Sequence, residues 1–187
     1  LLSRERMDAL TDGQPDSLTA VCQPCSNLGE LKRELERQGL FFPVDPTSEN
    51  DCTVGGAVAT NASGARTLKY GAIRRWIRRL RVVLATGDIL DLKAAAVDKN
   101  ATGFFGFQDP VQFFIGSEGT LGIITEIELQ CLPLPPDYLA LYAFFTDEAS
   151  ALAAATAIRF RGIGVRCLEY FDDACLDLLR DTQSFPV

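Results

Sequence analysis

Two glycine-rich segments are the parts of this sequence best suited to chemistry with a bound ligand. The first, Thr53–Gly64, contains the pair Gly55 and Gly56, which can adopt positive φ and let a ligand touch the main chain. Successive N–H groups in such a turn form an anion-binding nest, and a helix that starts directly after it adds its dipole. A cofactor with a diphosphate suits this segment. Tight packing of one backbone on another, with no ligand, explains the same residues equally well.

The second segment, Gly116–Gly122, holds three glycines in seven residues just before an alternating stretch. Its Glu118 is suited to hold a ribose hydroxyl or to anchor the loop through backbone N–H groups. A structural turn with a solvated Glu118 is the alternative. Because one cofactor would explain both segments, we predict that Thr53–Gly64 and Gly116–Ile124 line a single groove, although they are far apart in the sequence.

The composition supports a folded domain and restricts its chemistry. Hydrophobic residues make up 47% of the 187 residues, enough to form a core. The net charge of −7 argues against nucleic-acid binding, and no apolar run is long enough to span a bilayer. The chain contains no His, so it supplies no imidazole base, nucleophilic triad or His metal ligand. We therefore expect neither a catalytic residue nor a metal site within it.

The cysteines and arginines have simple interpretations. Cys22 and Cys25 form the only C-x-x-C, so reduced thiols of a cytosolic protein are preferred over a zinc or redox pair. Five arginines surround Trp76, and a solvated face beside a strand is preferred over a phosphate or acidic-partner patch because the whole chain is acidic. These arginines are Arg74, Arg75, Arg78, Arg79 and Arg81.

Hydrophobic patterning places the segments on strands and helices. Asn27 and Glu30 form a capping box for a helix that Gly39 ends. Alternation in Leu121–Gln130 predicts a strand with Ile123, Ile127 and Leu129 on its core face, beside Val82 and Leu84. The other predicted strands of this first part are Ser17–Cys22, Leu80–Ala85 and Ile89–Leu92.

A stiff linker, Cys131–Asp137, separates this part from a second pattern. We predict two strands and two helices after it, which would begin an α/β layer. The predicted strands are Tyr138–Phe145 and Val165–Tyr170, and the predicted helices are Glu148–Phe160 and Asp173–Arg180.

Six ordered motifs resemble the FAD-linked oxidases of the vanillyl-alcohol-oxidase type, and within them the D-lactate dehydrogenase and glycolate oxidase branch. The motifs are Pro43-Val-Asp-Pro46, Thr53-Val-Gly-Gly56, Ala59-Thr-Asn-Ala-Ser-Gly64, Lys69-Tyr-Gly71, Val82-Val-Leu-Ala-Thr-Gly87 and Phe114-Ile-Gly-Ser-Glu-Gly-Thr-Leu-Gly-Ile-Ile-Thr125. Leu168-Glu-Tyr-Phe-Asp172 resembles a piece of that family's substrate (cap) domain.

The resemblance implies a site for noncovalent FAD, and it implies a role for each matched segment. Pro46, Thr47 and Thr53 would flank the flavin, and Val54, Gly55 and Gly56 would present backbone to it. The residues Thr60, Asn61, Ala62, Ser63 and Gly64 would line the diphosphate and ribityl region. Glu118, Gly119, Ile123 and Ile124 would close over the adenosine end.

The resemblance also implies a fold and a division into domains. The fold is α+β, with a mixed, mostly antiparallel sheet and flanking helices, followed by the start of an α/β cap. Residues 1–132 would be part of an FAD-binding domain whose upstream phosphate-loop half has no counterpart here. Residues 138–187 would be the truncated start of the substrate domain. We expect this chain alone to bind FAD weakly and to be inactive.

The implied activity of the full-length parent is oxidation of a small 2-hydroxy acid, such as D-lactate or glycolate, by hydride transfer to FAD. Its partners would be that substrate, an unidentified electron acceptor and the remainder of the parent chain. We expect no nucleic-acid partner and no transmembrane segment. The expected location is cytoplasmic, with peripheral attachment to the inner membrane left open. Two alternatives remain: a non-catalytic fragment or subunit of a flavoenzyme complex, and the same fold acting on another alcohol or a sugar.

Overall fold

A computed structural model describes residues 6–94 and 109–182 of the chain. Its centre is a five-stranded sheet in the order β1-β2-β6-β4-β5, and every pairing among these strands is antiparallel. The strands are β1 (Leu10–Gln14), β2 (Thr19–Cys22), β4 (Ile77–Val83), β5 (Ile89–Lys93) and β6 (Ile123–Gln130). Two short strands, β3 (Leu40–Phe41) and β7 (Leu132–Pro133), pair separately. The α+β class and the antiparallel sheet are confirmed.

Within residues 6–94 and 109–182, six α-helices flank or follow the sheet. They are α1 (Leu28–Arg37), α2 (Val54–Ala59), α3 (Thr67–Tyr70), α4 (Val111–Phe114), α5 (Glu148–Phe160) and α6 (Asp173–Thr182), and a 3₁₀ turn covers Ile73–Trp76. The predicted helices α1, α5 and α6 are therefore confirmed in the described part of the chain. Strand β1 is one that the sequence patterning missed, because its Asp-Gly pair is typical of a turn.

Helix α1 forms where the local sequence favours it. The Asn27 side chain accepts a hydrogen bond from the Glu30 N–H at 3.0 Å, and Gly39 takes a φ of +77° just past the last turn. Leu28, Leu31 and Leu35 form the apolar stripe and are buried. This stripe joins the main core, to which the sheet contributes Ala20, Cys22, Leu80, Val82, Ile124, Ile127 and Leu129.

The core face of β6 changes side at a β-bulge. Arg81 pairs with Glu126, but the next residue of β4, Val82, pairs with Ile124, so Thr125 is the extra residue. Side chains of a strand alternate between faces, and an inserted residue reverses the alternation. Consequently Ile127 and Leu129 are buried as predicted, whereas the core position before the bulge belongs to Ile124, and Ile123 is half-buried.

The second part of the chain forms its helices but not its predicted strands. Residues 138–145 and 165–170 are not strands in the structure. The large apolar side chains of 138–145, including Leu139 and Leu141 at 81% exposure each, face solvent, whereas Val165 and Leu168 in the other segment are half-buried. The physical reason is that a strand is stabilised by neighbours that pair with its backbone and cover its faces. Within the described residues no segment supplies that pairing.

The predicted linker starts later than the sequence indicated. Cys131 is buried, and Leu132–Pro133 pair with β3, so the exposed connection starts at Leu134. The position of the domain boundary itself stays a prediction. Among the described residues, no helix has both the length and the apolar character needed to cross a membrane.

Candidate functional site

Helix α2 is fixed to the end of β2 by backbone hydrogen bonds. The N–H of Val54 donates to the Ser26 carbonyl at 2.9 Å, and that of Gly55 donates to the Pro24 carbonyl at 2.8 Å. A Cβ added to Gly55 would lie 2.5 Å from Pro24 Cβ and 2.8 Å from its carbonyl oxygen. Position 55 therefore requires glycine because two main chains pack closely there. This is the interpretation of Gly55 that needs no ligand.

Gly56 has the opposite environment. It is exposed, and the only atom within 4 Å of an added Cβ would be Thr53 Oγ1, at 3.1 Å. That hydroxyl accepts the Gly56 N–H at 3.2 Å and caps the helix. The missing side chain at Gly56 therefore leaves open surface directly over the backbone, where a ligand can approach.

The expected nest of N–H groups at the paired glycines is absent. Gly55 and Gly56 lie in the first turn of α2 rather than at positive φ. All four N–H groups from Val54 to Ala57 already donate to protein acceptors, so none is free for a phosphate. The helix forms here because Thr53 caps it and the loop that follows β2 anchors its first turn.

The backbone donors that remain are in the loops that follow. No protein acceptor within the described residues receives the N–H of Ser63 or Ala65 in the first loop, or of Gly119, Leu121 or Gly122 in the second. Backbone N–H groups are strong donors that bind water or a ligand when no protein acceptor reaches them. These two clusters are the anion-binding groups that the site offers.

The two glycine-rich segments lie together, which confirms the predicted proximity. The N–H of Gly116 donates to the Val58 carbonyl at 3.1 Å, and that of Glu118 donates to the Ala59 carbonyl at 2.9 Å. The second loop thus continues from the carboxyl end of α2. Asn61 and Glu118 each adopt a φ of +52°, a conformation uncommon for residues other than glycine, and this conformation makes the chain turn sharply in each loop.

Arg74 holds the two loops in place, a role that its type and position in the arginine run did not reveal. Its guanidinium donates to the carbonyl oxygens of Gln112 at 2.9 Å and Ile115 at 2.6 Å. Its own N–H donates to Asn61 Oδ1 at 3.3 Å. One residue therefore connects the first loop to the segment that leads into the second.

Asp45 fixes the far end of the first loop. Its Oδ1 accepts the Arg66 N–H at 3.1 Å, and its Oδ2 lies 3.2 Å from Arg66 Nε. A Cβ added to Gly64 would lie 1.9 Å from the Asp45 carbonyl oxygen, so only glycine fits there. Partial burial raises the pKa of the Asp45 carboxyl, although the Arg66 N–H and guanidinium oppose the shift. Asp45 lies inside the Pro43–Pro46 motif, but nothing in the sequence indicated its partner.

The predicted site residues divide by exposure into a surface set and a supporting set. Thr47, Thr53, Gly56, Thr60, Ser63, Glu118 and Gly119 are exposed, and Pro46, Asn61, Ala62, Gly64 and Ile123 are half-buried. Val54, Gly55 and Ile124 are buried in the core behind them. In the described structure the Glu118 carboxylate has no hydrogen-bond or ion-pair partner, and the Thr60 hydroxyl donates to the Gly56 carbonyl at 3.0 Å.

Comparison with known proteins shows which proteins the chain is similar to. A family model described as FAD binding domain matches residues 1–93. Over these residues the chain is similar to the FAD-binding domains of that family.

Three individual proteins illustrate this similarity. It is 34% identical over 185 residues to D-lactate dehydrogenase of Anaerostipes hadrus, covering 99% of this chain and 37% of that protein. It is 34% identical over 177 residues to glycolate oxidase subunit GlcD of Bacillus subtilis (strain 168), covering 95% of this chain and 37% of that protein. A solved structure of alkyldihydroxyacetonephosphate synthase superposes with a TM-score of 0.69 at 31% identity, covering 84% of this chain and 27% of that one. The chain therefore spans little more than a third of the length of the curated relatives.

The groove fits FAD on the chemistry of its donors. A flavin dinucleotide carries a diphosphate, which backbone N–H groups bind, and flat ring systems, which need backbone approach without side chains. The open surface at Gly56 and the unpaired N–H groups of Ser63, Ala65 and Gly119 meet these two needs.

Proposed function

We propose that the protein containing these 187 residues oxidises a small 2-hydroxy acid of the D-lactate or glycolate type. The observation that carries the proposal is the contact between the two glycine-rich loops, in which the N–H of Glu118 donates to the Ala59 carbonyl, together with the open surface at Gly56. When bound, FAD supplies the redox chemistry by accepting a hydride from the substrate carbon. Relatives named D-lactate dehydrogenase, D-2-hydroxyglutarate dehydrogenase and glycolate oxidase support this substrate class.

The residues of this chain hold and orient the cofactor. Gly56 offers backbone contact, while Asn61, Ser63 and the N–H of Ala65 face the diphosphate and ribityl region. Glu118 and Gly119 contact the adenosine end. Val54, Gly55 and Ile124 support these contacts from the core rather than making them, as do Thr53 as a helix cap and Gly64 as a packing position.

The chain supplies no imidazole, so a proton acceptor of that kind for the substrate hydroxyl is not among these residues. This is consistent with a division of labour in which this segment binds the cofactor. The proposed location of the protein is the cytoplasm.

A second candidate is a flavin-binding subunit that works within an assembly. The exposed apolar side chains of the second part are compatible with it, since large solvent-facing apolar surfaces mark contact with further polypeptide, which a second chain or the remainder of the same chain can supply. Tyr138, Leu139, Leu141, Tyr142 and Phe144 are each more than 60% exposed. On this interpretation the catalytic residues come from a separate chain.

Two experiments test the proposal. The first titrates the 187-residue chain with FAD and follows flavin fluorescence, comparing wild type with Gly56→Ala and, as a matched control, Gly164→Ala, whose added Cβ meets nothing within 4 Å. We expect weak binding that Gly56→Ala weakens further, by roughly tenfold, through loss of about 1.4 kcal/mol of contact. Equal binding by Gly56→Ala and wild type would place the flavin elsewhere.

The second experiment separates the two candidates. The longest continuous reading frame that includes these residues is expressed, loaded with FAD and assayed with D-lactate, glycolate and D-2-hydroxyglutarate in the presence of a dye acceptor. Turnover by that single polypeptide supports the dehydrogenase. Tight FAD binding with no turnover until a second polypeptide is added supports the subunit.

A further inference from the structure

An open groove outside the cofactor loops is lined by two cations and two aromatic rings. Its volume is about 360 Å³, within the range of small-ligand sites. The lining residues are Lys69, Tyr70, Arg75, Trp76 and Leu132. They come from α3, the 3₁₀ turn and β7, which the flavin groove does not use.

The aromatic floor of this groove is ordered by its neighbours. The Trp76 indole N–H donates to the Tyr70 carbonyl at 3.1 Å, and the two rings meet edge to face with centroids 6.2 Å apart. Tyr70 in turn packs edge to face on Phe41 at 5.8 Å. Tyr70 and Phe41 are buried, so the rings form a fixed apolar wall.

The cations of the groove have no anionic partner. Among the described residues, no carboxylate oxygen lies within 4.0 Å of a side-chain nitrogen of Lys69 or Arg75. Of the neighbouring arginines, Arg79 pairs with the carboxylates of Asp91 and Glu126. Arg74 and Arg78 donate to neutral oxygen acceptors. Arg75 lies across Gly71, whose φ of +74° and missing side chain make room for it.

Further positive charge surrounds the same row of rings. Lys69 Nζ lies 5.4 Å from the Tyr70 ring centre and 3.4 Å from the Gly164 carbonyl oxygen. Arg166 is held between Phe41 and Tyr138, at 4.7 and 5.0 Å from the ring centres, and its buried Nε lacks an acceptor in the described structure. In a chain of net charge −7, this local excess of positive charge favours binding of a compensating anion.

We propose that this groove binds a small organic anion that carries a carboxylate on a planar or apolar body. Lys69 and Arg75 would bind the carboxylate by charge-assisted hydrogen bonds, and Tyr70, Trp76 and Leu132 would contact the body. Neither contact involves the flavin loops, so the inference does not depend on the proposed oxidation.

The only Trp of the chain lies in the groove wall, which makes its fluorescence a direct reporter. The probe is 3-phenyllactate, titrated into the 187-residue chain while indole emission is followed. Its uncharged amide tests the carboxylate, and inorganic phosphate tests the apolar body. We expect saturable change with phenyllactate and at least roughly tenfold weaker binding of the amide and of phosphate.

Two variants locate the site. Lys69→Gln and Arg75→Gln each remove one cation and should weaken phenyllactate binding roughly tenfold. Arg81→Gln removes the same charge from an exposed position on β4 that does not line the groove and should leave binding unchanged. Absence of saturable change with wild type, equal binding of the amide or of phosphate, or an equal effect of Arg81→Gln would each overturn the proposal. The comparison of the charged probe with its amide uses the unaltered chain, so it tests the proposal even if a variant does not fold.

Discussion

Replacing Gly64 by Ala should destabilise the fold through a clash that the surroundings cannot relieve. The added Cβ would lie 1.9 Å from the carbonyl oxygen of Asp45 and 2.7 Å from its Oδ1. The first of these atoms is backbone, so the segment around Asp45 must move. Overpacking of this kind costs about 1–3 kcal/mol.

The movement should also break the contacts that Asp45 makes with Arg66. The Arg66 N–H donates to Oδ1 at 3.1 Å, and Nε lies 3.2 Å from Oδ2. A hydrogen bond to a charged group contributes about 1.5–3 kcal/mol to stability. Solvent screening lowers this contribution here, because one side of the Asp45–Arg66 pair is accessible to water. We therefore expect Gly64→Ala to lower the free energy of unfolding by about 3 kcal/mol or more.

Urea denaturation followed by Trp76 fluorescence measures this loss. The matched control is Gly164→Ala, whose added Cβ meets no atom within 4 Å and whose φ is not positive. Substitutions of that kind usually change stability by less than about 0.5 kcal/mol. A loss below about 1 kcal/mol for Gly64→Ala, with an unchanged denaturant slope, would refute the assignment of Gly64 to close packing.

Three further substitutions test separate parts of the structure. Arg74→Met removes the donors to the Gln112 and Ile115 carbonyls and should cost about 2–3 kcal/mol in urea denaturation while weakening FAD binding; full stability would contradict the bridging role. Ile127→Ala creates a cavity at a fully buried position and should cost about 2–5 kcal/mol, whereas a loss under about 1 kcal/mol would contradict the β6 register. Hydrogen bonds from Arg79 lower the pKa of the exposed Asp91 carboxyl. The stability that the Asp91–Arg79 pair contributes is therefore present above the ordinary Asp pKa and is lost as the pH falls through the lowered pKa. Asp91→Asn should therefore flatten the acid side of a stability–pH profile, and an unchanged profile would show that this pair contributes nothing.

The sequence by itself determined those features whose causes are local. Asn27 and the leucine stripe define α1, because capping and a repeat of three to four residues act within one helix. Alternation in β6 and the two glycine-rich segments are equally local signals. The two segments were sufficient to predict the proximity of both loops, because one ligand explained both. The antiparallel α+β flavin fold was predicted from the resemblance of the six ordered motifs to a known family.

Only the tertiary structure decided what each residue of those segments does. Gly55 and Gly56 are adjacent and identical in type, yet one packs on Pro24 and the other faces open space. The approach of a loop that is distant in the sequence distinguishes them. The bulge at Thr125 reversed one part of β6, since a bulge arises from pairing with β4 rather than from β6 itself. The segment 138–145 shows the same dependence, because its apolar pattern becomes a strand only where neighbouring backbone pairs with it.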